Sequence, residues 1–301
     1  MGQTLSFKKG TAMSWCIAAD SSCNFRGYTP VTPHMSYRLA PLKVNVGGTE
    51  YVDDEHLDVA ALNQAVASEA SASSSSCPSA GEWAEIFRSA DNVIAVTISS
   101  NLSGSYEAAI MARNMVLDEY AREHNGVIAG KNIFVLNSRA AGGKLELIVT
   151  LLDRYLSNNP SFEDAVKYAE KLECNSQVLF SLSSYENLVK AGRMPRVAGA
   201  IASRLNIRIL GTASPEGTIK LVGPSRGEKK AIRGIIDAMV SDGYHGGFVA
   251  IDHVNNEHTV ELLKSALLEQ WPNAEILTHA CGGLCSYYAE ESGIIVGYGW
   301  L

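Results

Sequence analysis

At 301 residues and 46% apolar, the chain is long enough for two cores or one large α/β unit. Its 32 acidic and 25 basic residues leave a net charge of -7 without a long basic run, which argues against a nucleic-acid surface built on clustered Lys and Arg. No run of about 18 uninterrupted apolar residues occurs, so stable membrane insertion is not expected, and six scattered cysteines without a Cys-x-x-Cys pair fit the reduced thiols of a cytoplasmic protein.

Met13 would serve as a start, which makes residues 1–12 an appended or disordered extension in this reading. Ser14 to Ala19 reads as a short buried strand running into Asp20-Ser21-Ser22, whose small polar side chains bond the local backbone in a turn. Arg38 to Tyr51 alternates around Gly47-Gly48 and predicts a hairpin, followed by a helix near Asp58 to Ala70. The Ser-rich run from Ala67 to Cys77 has a linker's composition, but Ser79 and Glu82 form a Ser-x-x-Glu capping box. Ser75 and Ser76 then hang as a hydroxyl pair just before a helix start.

Asn92 to Arg113 is the centre of the chain. Asn92 to Thr97 is β-branched and apolar without alternation, which suits a strand covered on both faces, and residues from Tyr106 onward repeat apolar side chains at helical spacing. The Ser99 to Ser105 turn between them gathers hydroxyls and unpaired helix N-H groups at one spot. That spot favours an anion, with helix capping by Ser103 or Ser105 as the plainer role.

Lys131 to Leu136 predicts another strand, with a helix from Ala140 through Asn158. Repeated strand, turn and helix units imply a parallel sheet with ligands outside the carboxyl edges of its strands. Neither a Gly-x-Gly-x-x-Gly turn nor a Gly-Lys-Ser/Thr phosphate loop is present there.

Beyond Pro160 the expected elements are a helix at Phe162 to Glu173, a strand at Val178 to Leu182 and a helix at Tyr185 to Ala191. A small-residue helix near Val197 to Leu205 follows, then strands at Arg208 to Ala213 and Thr218 to Val222. The rest reads as a helix at Glu228 to Ser241, a strand at Gly247 to His253, a helix at His258 to Gln270 and a strand at Glu275 to Thr278. His279 then stands at a strand tip close to Gly282-Gly283, the best placed of seven histidines for chemistry, and Arg193 sits on a stiff turn between Gly192 and Pro195. Cys281 and Cys285 lack a zinc spacing, so no metal is expected. The fold class is therefore α/β with two domains. A parallel-sheet α/β/α domain covers 13–172 with its hairpin near 38–51, and a mixed-sheet α/β domain covers 173–301.

Taken together, Asp20-Ser21-Ser22, Ser75 to Ser79, Ile98 to Tyr106, Ala191-Gly192-Arg193-Met194 and Thr278-His279 resemble the DegV family in order and approximate spacing. The resemblance implies a carrier without turnover of its own, which holds one long-chain fatty acid in a tunnel between two domains and presents it to a fatty acid kinase. It implies no further cofactor. It also implies that Ser75, Ser76, Ser103, Gly104 and His279 hold the carboxylate, that Ser21 and Ser105 support them, and that Arg193 faces the kinase. Cys77, Ser105 and Asn137 stand where the family usually has Gln, Thr and Asp. The competing reading is an acyl or phosphoryl transferase using Ser103 with His279. It lacks a Gly-x-Ser-x-Gly elbow and an evident acidic group to orient His279.

Overall fold

The computed structural model describes residues 13–69, 73–194 and 207–300. The extension at 1–12 and the helix expected at Val197 to Leu205 lie outside the described residues.

Unalternating apolar runs build a four-stranded, all-parallel sheet in the order β2 (Met35–Ala40), β1 (Trp15–Asp20), β6 (Asn92–Thr97), β7 (Asn132–Asn137). Every residue of β6 is buried, as expected for a strand covered on both faces. Helix α2 (Ala80–Arg88) begins at the predicted capping box: Ser79 Oγ accepts from Glu82 N, and Glu82 Oε2 accepts from Ser79 N. Helix α3 (Ser105–Glu123) packs beside it.

The hairpin read over 38–51 is corrected. Its turn at Gly47-Gly48 is right, but the paired strands are β3 (Lys43–Val46) and β4 (Thr49–Val52), while residues 38–40 belong to β2. Pro41 separates the two sets because it cannot donate to a ladder. The serine run is likewise a strand, β5 (Ser73–Ser76), antiparallel to β3, rather than a turn before a helix. Helix α1 (Val59–Ser68), capped by Asp58, connects β4 to β5.

The second sheet has six strands in the order β10 (Ile219–Arg226), β9 (Ile207–Ala213), β8 (Ser176–Leu182), β13 (Ile294–Gly299), β11 (Phe248–His253), β12 (Glu275–Ala280). It is antiparallel except for β11 and β12. Central β13 and the short helix α9 (Gly283–Ala289) before it were not anticipated from sequence. The short helix α6 (Glu186–Lys190) follows β8, and on one face helices α7 (Glu228–Ser241) and α8 (Glu257–Gln270) cover a core around Ile235, Leu263 and Val296.

The other face meets α4 (Gly143–Leu156), with α5 (Phe162–Cys174) alongside. Nearly every residue of α4 is buried, including Lys144, Glu146 and Asp153, because it packs against strands of both large sheets. At its start, a Cβ on Gly143 would lie 2.6 Å from the Ala250 carbonyl oxygen and 2.6 Å from Gly297 N. The helix therefore reaches the second sheet through a contact between backbones.

Candidate functional site

Between the carboxyl ends of the parallel strands and one face of the second sheet lies an apolar cavity. Leu42, Ile98, Leu102, Phe180, Leu284 and Ile295 are among its walls. Counting its open mouth it holds about 840 Å³ of space between atoms, but only about 100 Å³ admits the centre of a water molecule, so the void is narrow. Its polar lining includes Ser75, Ser103, Thr212, Thr218 and Tyr288, and among the described lining residues Arg193 alone carries a formal charge.

The tip of the β9–β10 hairpin closes this space. Ser99 Oγ donates to the Gly217 carbonyl (2.7 Å), and Asn101 Nδ2 donates to that of Glu216 (2.6 Å). Gly217 has φ +84°, and a Cβ there would lie 2.3 Å from Ser99 Oγ. Only glycine lets the two backbones meet so closely.

The expected site residues divide into groups. Ser75 and Ser103 both line the cavity, and Ser75 Oγ lies 2.8 Å from the Tyr288 hydroxyl. Arg193, expected to face a partner, also lines this cavity. It is half-buried, with Nε donating to the Leu102 carbonyl (3.1 Å) and Nη1 to that of Ala191 (2.6 Å). Its turn is pinned inward against the loop that carries Ser103.

Ser76 is exposed and does not line the cavity, because successive strand residues face opposite ways and Ser75 takes the inward position. Gly104 is the N-cap of α3 without a side-chain cap, and its exposed backbone lies beside Cys77, with a Cβ placed 3.4 Å from that sulfur. Ser21 and Ser105 are buried and do not line the cavity. Ser21 Oγ accepts from Leu42 N (2.9 Å), and Ser105 Oγ donates to Asp20 Oδ2 (2.6 Å), which also accepts from Ile98 N. Burial pushes the Asp20 carboxyl up against the opposing pull of those hydrogen bonds.

His279 is the largest correction. It is the penultimate residue of β12 rather than a tip residue, and it lines a different cavity, with Phe25, Tyr28 and Thr150. Its Nδ1 lies 3.2 Å from Glu146 Oε2, so the acidic neighbour that the sequence did not reveal is on α4. Asp252 stands directly across the ladder from His279. Glu146 interrupts the apolar run Leu145 to Val149 and Asp252 directly follows the run Phe248 to Ile251, and an acid in such a setting was the available signal.

Burial drives this cluster away from charge. It pushes Glu146 up to about 8 and Asp252 well above the ordinary carboxylate range, and it pulls His279 down. An acid that keeps its proton when folded but loses it when unfolded favours folding below its ordinary value and loses that advantage as pH rises through its folded value. Stability measured with a chelator should therefore fall as pH rises from about 5 to about 8, with a slope approaching about 1.4 kcal/mol per pH unit for one proton, and should level off above the folded value. Glu146→Gln should flatten that decline in urea melts, and an unchanged slope would rule out Glu146 as its source.

The sequence profile described as "Uncharacterised protein, DegV family" matches residues 14–298. A DegV domain-containing protein of Streptococcus gordonii is 35% identical over 286 residues, covering 95% of this chain and 99% of that protein. Among solved structures, the fold is similar to the Streptococcus pneumoniae Fatty Acid Kinase B3 protein loaded with linoleic acid. That match has a TM-score of 0.90 at 35% identity and covers 95% of this chain and 99% of the other. It is also similar to a DegV family protein from Eubacterium eligens loaded with heptadecanoic acid, with a TM-score of 0.87 at 28% identity, covering 96% and 100%. By a profile spanning nearly all of its length and a relative above 30% identity over 95% of it, the chain belongs to the DegV family.

Proposed function

We propose that this protein binds one long-chain fatty acid in the cavity between its two large sheets and presents the carboxylate to a fatty acid kinase. The observation that carries the reading is a narrow apolar void whose described lining holds two serine hydroxyls and a single charged group, Arg193. Burying a tail of about 16 carbons at about 0.8 kcal/mol per methylene gives roughly 12 kcal/mol gross. Each charge-assisted hydrogen bond to the head adds about 1.5 to 3 kcal/mol. The tail thus governs affinity, and Ser75, Ser103 and Arg193 fix which end faces outward. The fatty acids in the similar S. pneumoniae and E. eligens proteins support the ligand class, and the kinase named with the former supports the partner. The transferase reading loses ground, because Ser103 and His279 line different cavities.

Native mass spectrometry of the purified protein should show one bound species of fatty acid mass. Ala213→Trp, which fills the cavity from β9, should abolish uptake of added oleate while leaving the circular dichroism spectrum unchanged. A wild-type chain that carries no lipid and rejects both palmitate and oleate would end the proposal. A folded Ala213→Trp variant that still takes up one oleate would move the site elsewhere.

A further inference from the structure

The second cavity presents an arrangement that lipid binding does not use. Asp252 on β11 and His279 on β12 are register partners on neighbouring parallel strands, so their side chains emerge on the same face. Glu146 on α4 covers that face, and one potential donor atom from each of the three residues lies within 4.8 Å of the others. Glu146 and Asp252 are fully buried, whereas the His279 side chain is 34% exposed and lines the adjoining cavity. The cluster is enclosed on one side and reachable from the other.

Its polar atoms are only partly satisfied by the protein: Glu146 Oε2 meets His279 Nδ1, and the two carboxyls can share a proton between them. With both acids charged, neither Asp252 oxygen, nor Glu146 Oε1, nor Thr150 Oγ1 has a hydrogen-bond partner, and Thr150 stands one helical turn beyond Glu146 in the wall of the adjoining cavity. No described Lys or Arg forms an ion pair with Glu146 or Asp252. Buried polar atoms without partners are rare in folded proteins and point to an atom that the polypeptide does not supply. Gly142, at φ +66°, carries the chain past Asp252 where a Cβ would stand 2.9 Å from Oδ2.

From this geometry we infer that Glu146, Asp252 and His279 form a binding site for one divalent first-row transition cation. Two carboxylate oxygens and an imidazole nitrogen suit Mn²⁺, Fe²⁺ or Zn²⁺, and three protein ligands leave a position facing the cavity. The cation would neutralise both acids and tie α4 to two strands of the second sheet, far from the fatty acid in role.

The test is titration of the chelator-treated full chain with Zn²⁺ alone, followed by calorimetry. One equivalent should bind and raise the unfolding midpoint by several degrees. Asp252→Asn and Glu146→Gln should each weaken binding by at least about tenfold, whereas His258→Gln, at an exposed histidine, should not. Co²⁺ added to the wild type should give visible absorption bands that Zn²⁺ displaces, a readout independent of how well the variants fold. No uptake of Zn²⁺ and no Co²⁺ bands would overturn the inference and leave a proton shared by the two carboxyls in its place. Uptake unchanged in both variants would overturn it equally, by placing the ion elsewhere.

Discussion

A single methyl group at Gly297 is expected to destabilise this protein by at least about 3 kcal/mol, the upper end of the ordinary cost of overpacking a core. Gly297 lies in β13 opposite Ala250, and the first turn of α4 rests on that pair. A Cβ there would lie 2.0 Å from the Gly143 carbonyl carbon and 2.1 Å from Lys144 N. Those neighbours are backbone, so no change of rotamer relieves the clash and the whole helix must move. Because α4 touches both large sheets, its displacement would loosen the sheet-to-sheet packing that encloses the cavity. Natural domains have only about 5 to 15 kcal/mol to lose. Gly223→Ala in β10 is the control, since nothing lies within 4 Å of its added Cβ. Urea midpoints should fall sharply for Gly297→Ala and hardly at all for Gly223→Ala. Coincident curves for the two would refute the contact.

Arg193→Ala is expected to weaken fatty acid binding about 10- to 100-fold, the equivalent of one charge-assisted hydrogen bond. Ser103→Ala should cost less, because a neutral hydroxyl makes a weaker bond to a carboxylate than a guanidinium does. The informative comparison uses a fatty alcohol of equal chain length. Its neutral head gains little from the guanidinium, so Arg193→Ala should leave its affinity almost unchanged. Equal losses for acid and alcohol would mean that the substitution had damaged the cavity wall, and Arg193 would then be structural. The family resemblance placed Arg193 toward a partner, and this expectation adds a contact with the ligand at the same position. The inward pinning of its turn by the Leu102 and Ala191 carbonyls is the reason.

Local chemistry made much of the architecture legible. The apolar run at Asn92 to Thr97, the capping box at Ser79 and the helical periodicity after Ser105 each depend on neighbours within a few residues, and each element formed where expected. The DegV resemblance also rested on short segments whose order survives in any fold. Ser75 and Ser103, both named from those segments, line the cavity.

What the tertiary structure alone decided involves pairs distant in sequence. Strand periodicity allows either alternate serine to face inward, and only pairing with β3 gave that place to Ser75 instead of Ser76. Nothing near His279 in the chain announces Glu146, which is 133 residues away, and the acids became visible as a cluster only when α4 settled on β11 and β12. Central β13 depends on the same docking: its glycines are poor strand formers in isolation, but Gly297 is required where a helix backbone rests on the sheet. Sequence reports propensity and spacing along one dimension. The inward face, the buried acidic neighbour of His279 and the close backbone contact are set by which surfaces meet, and burial selects those across the whole chain.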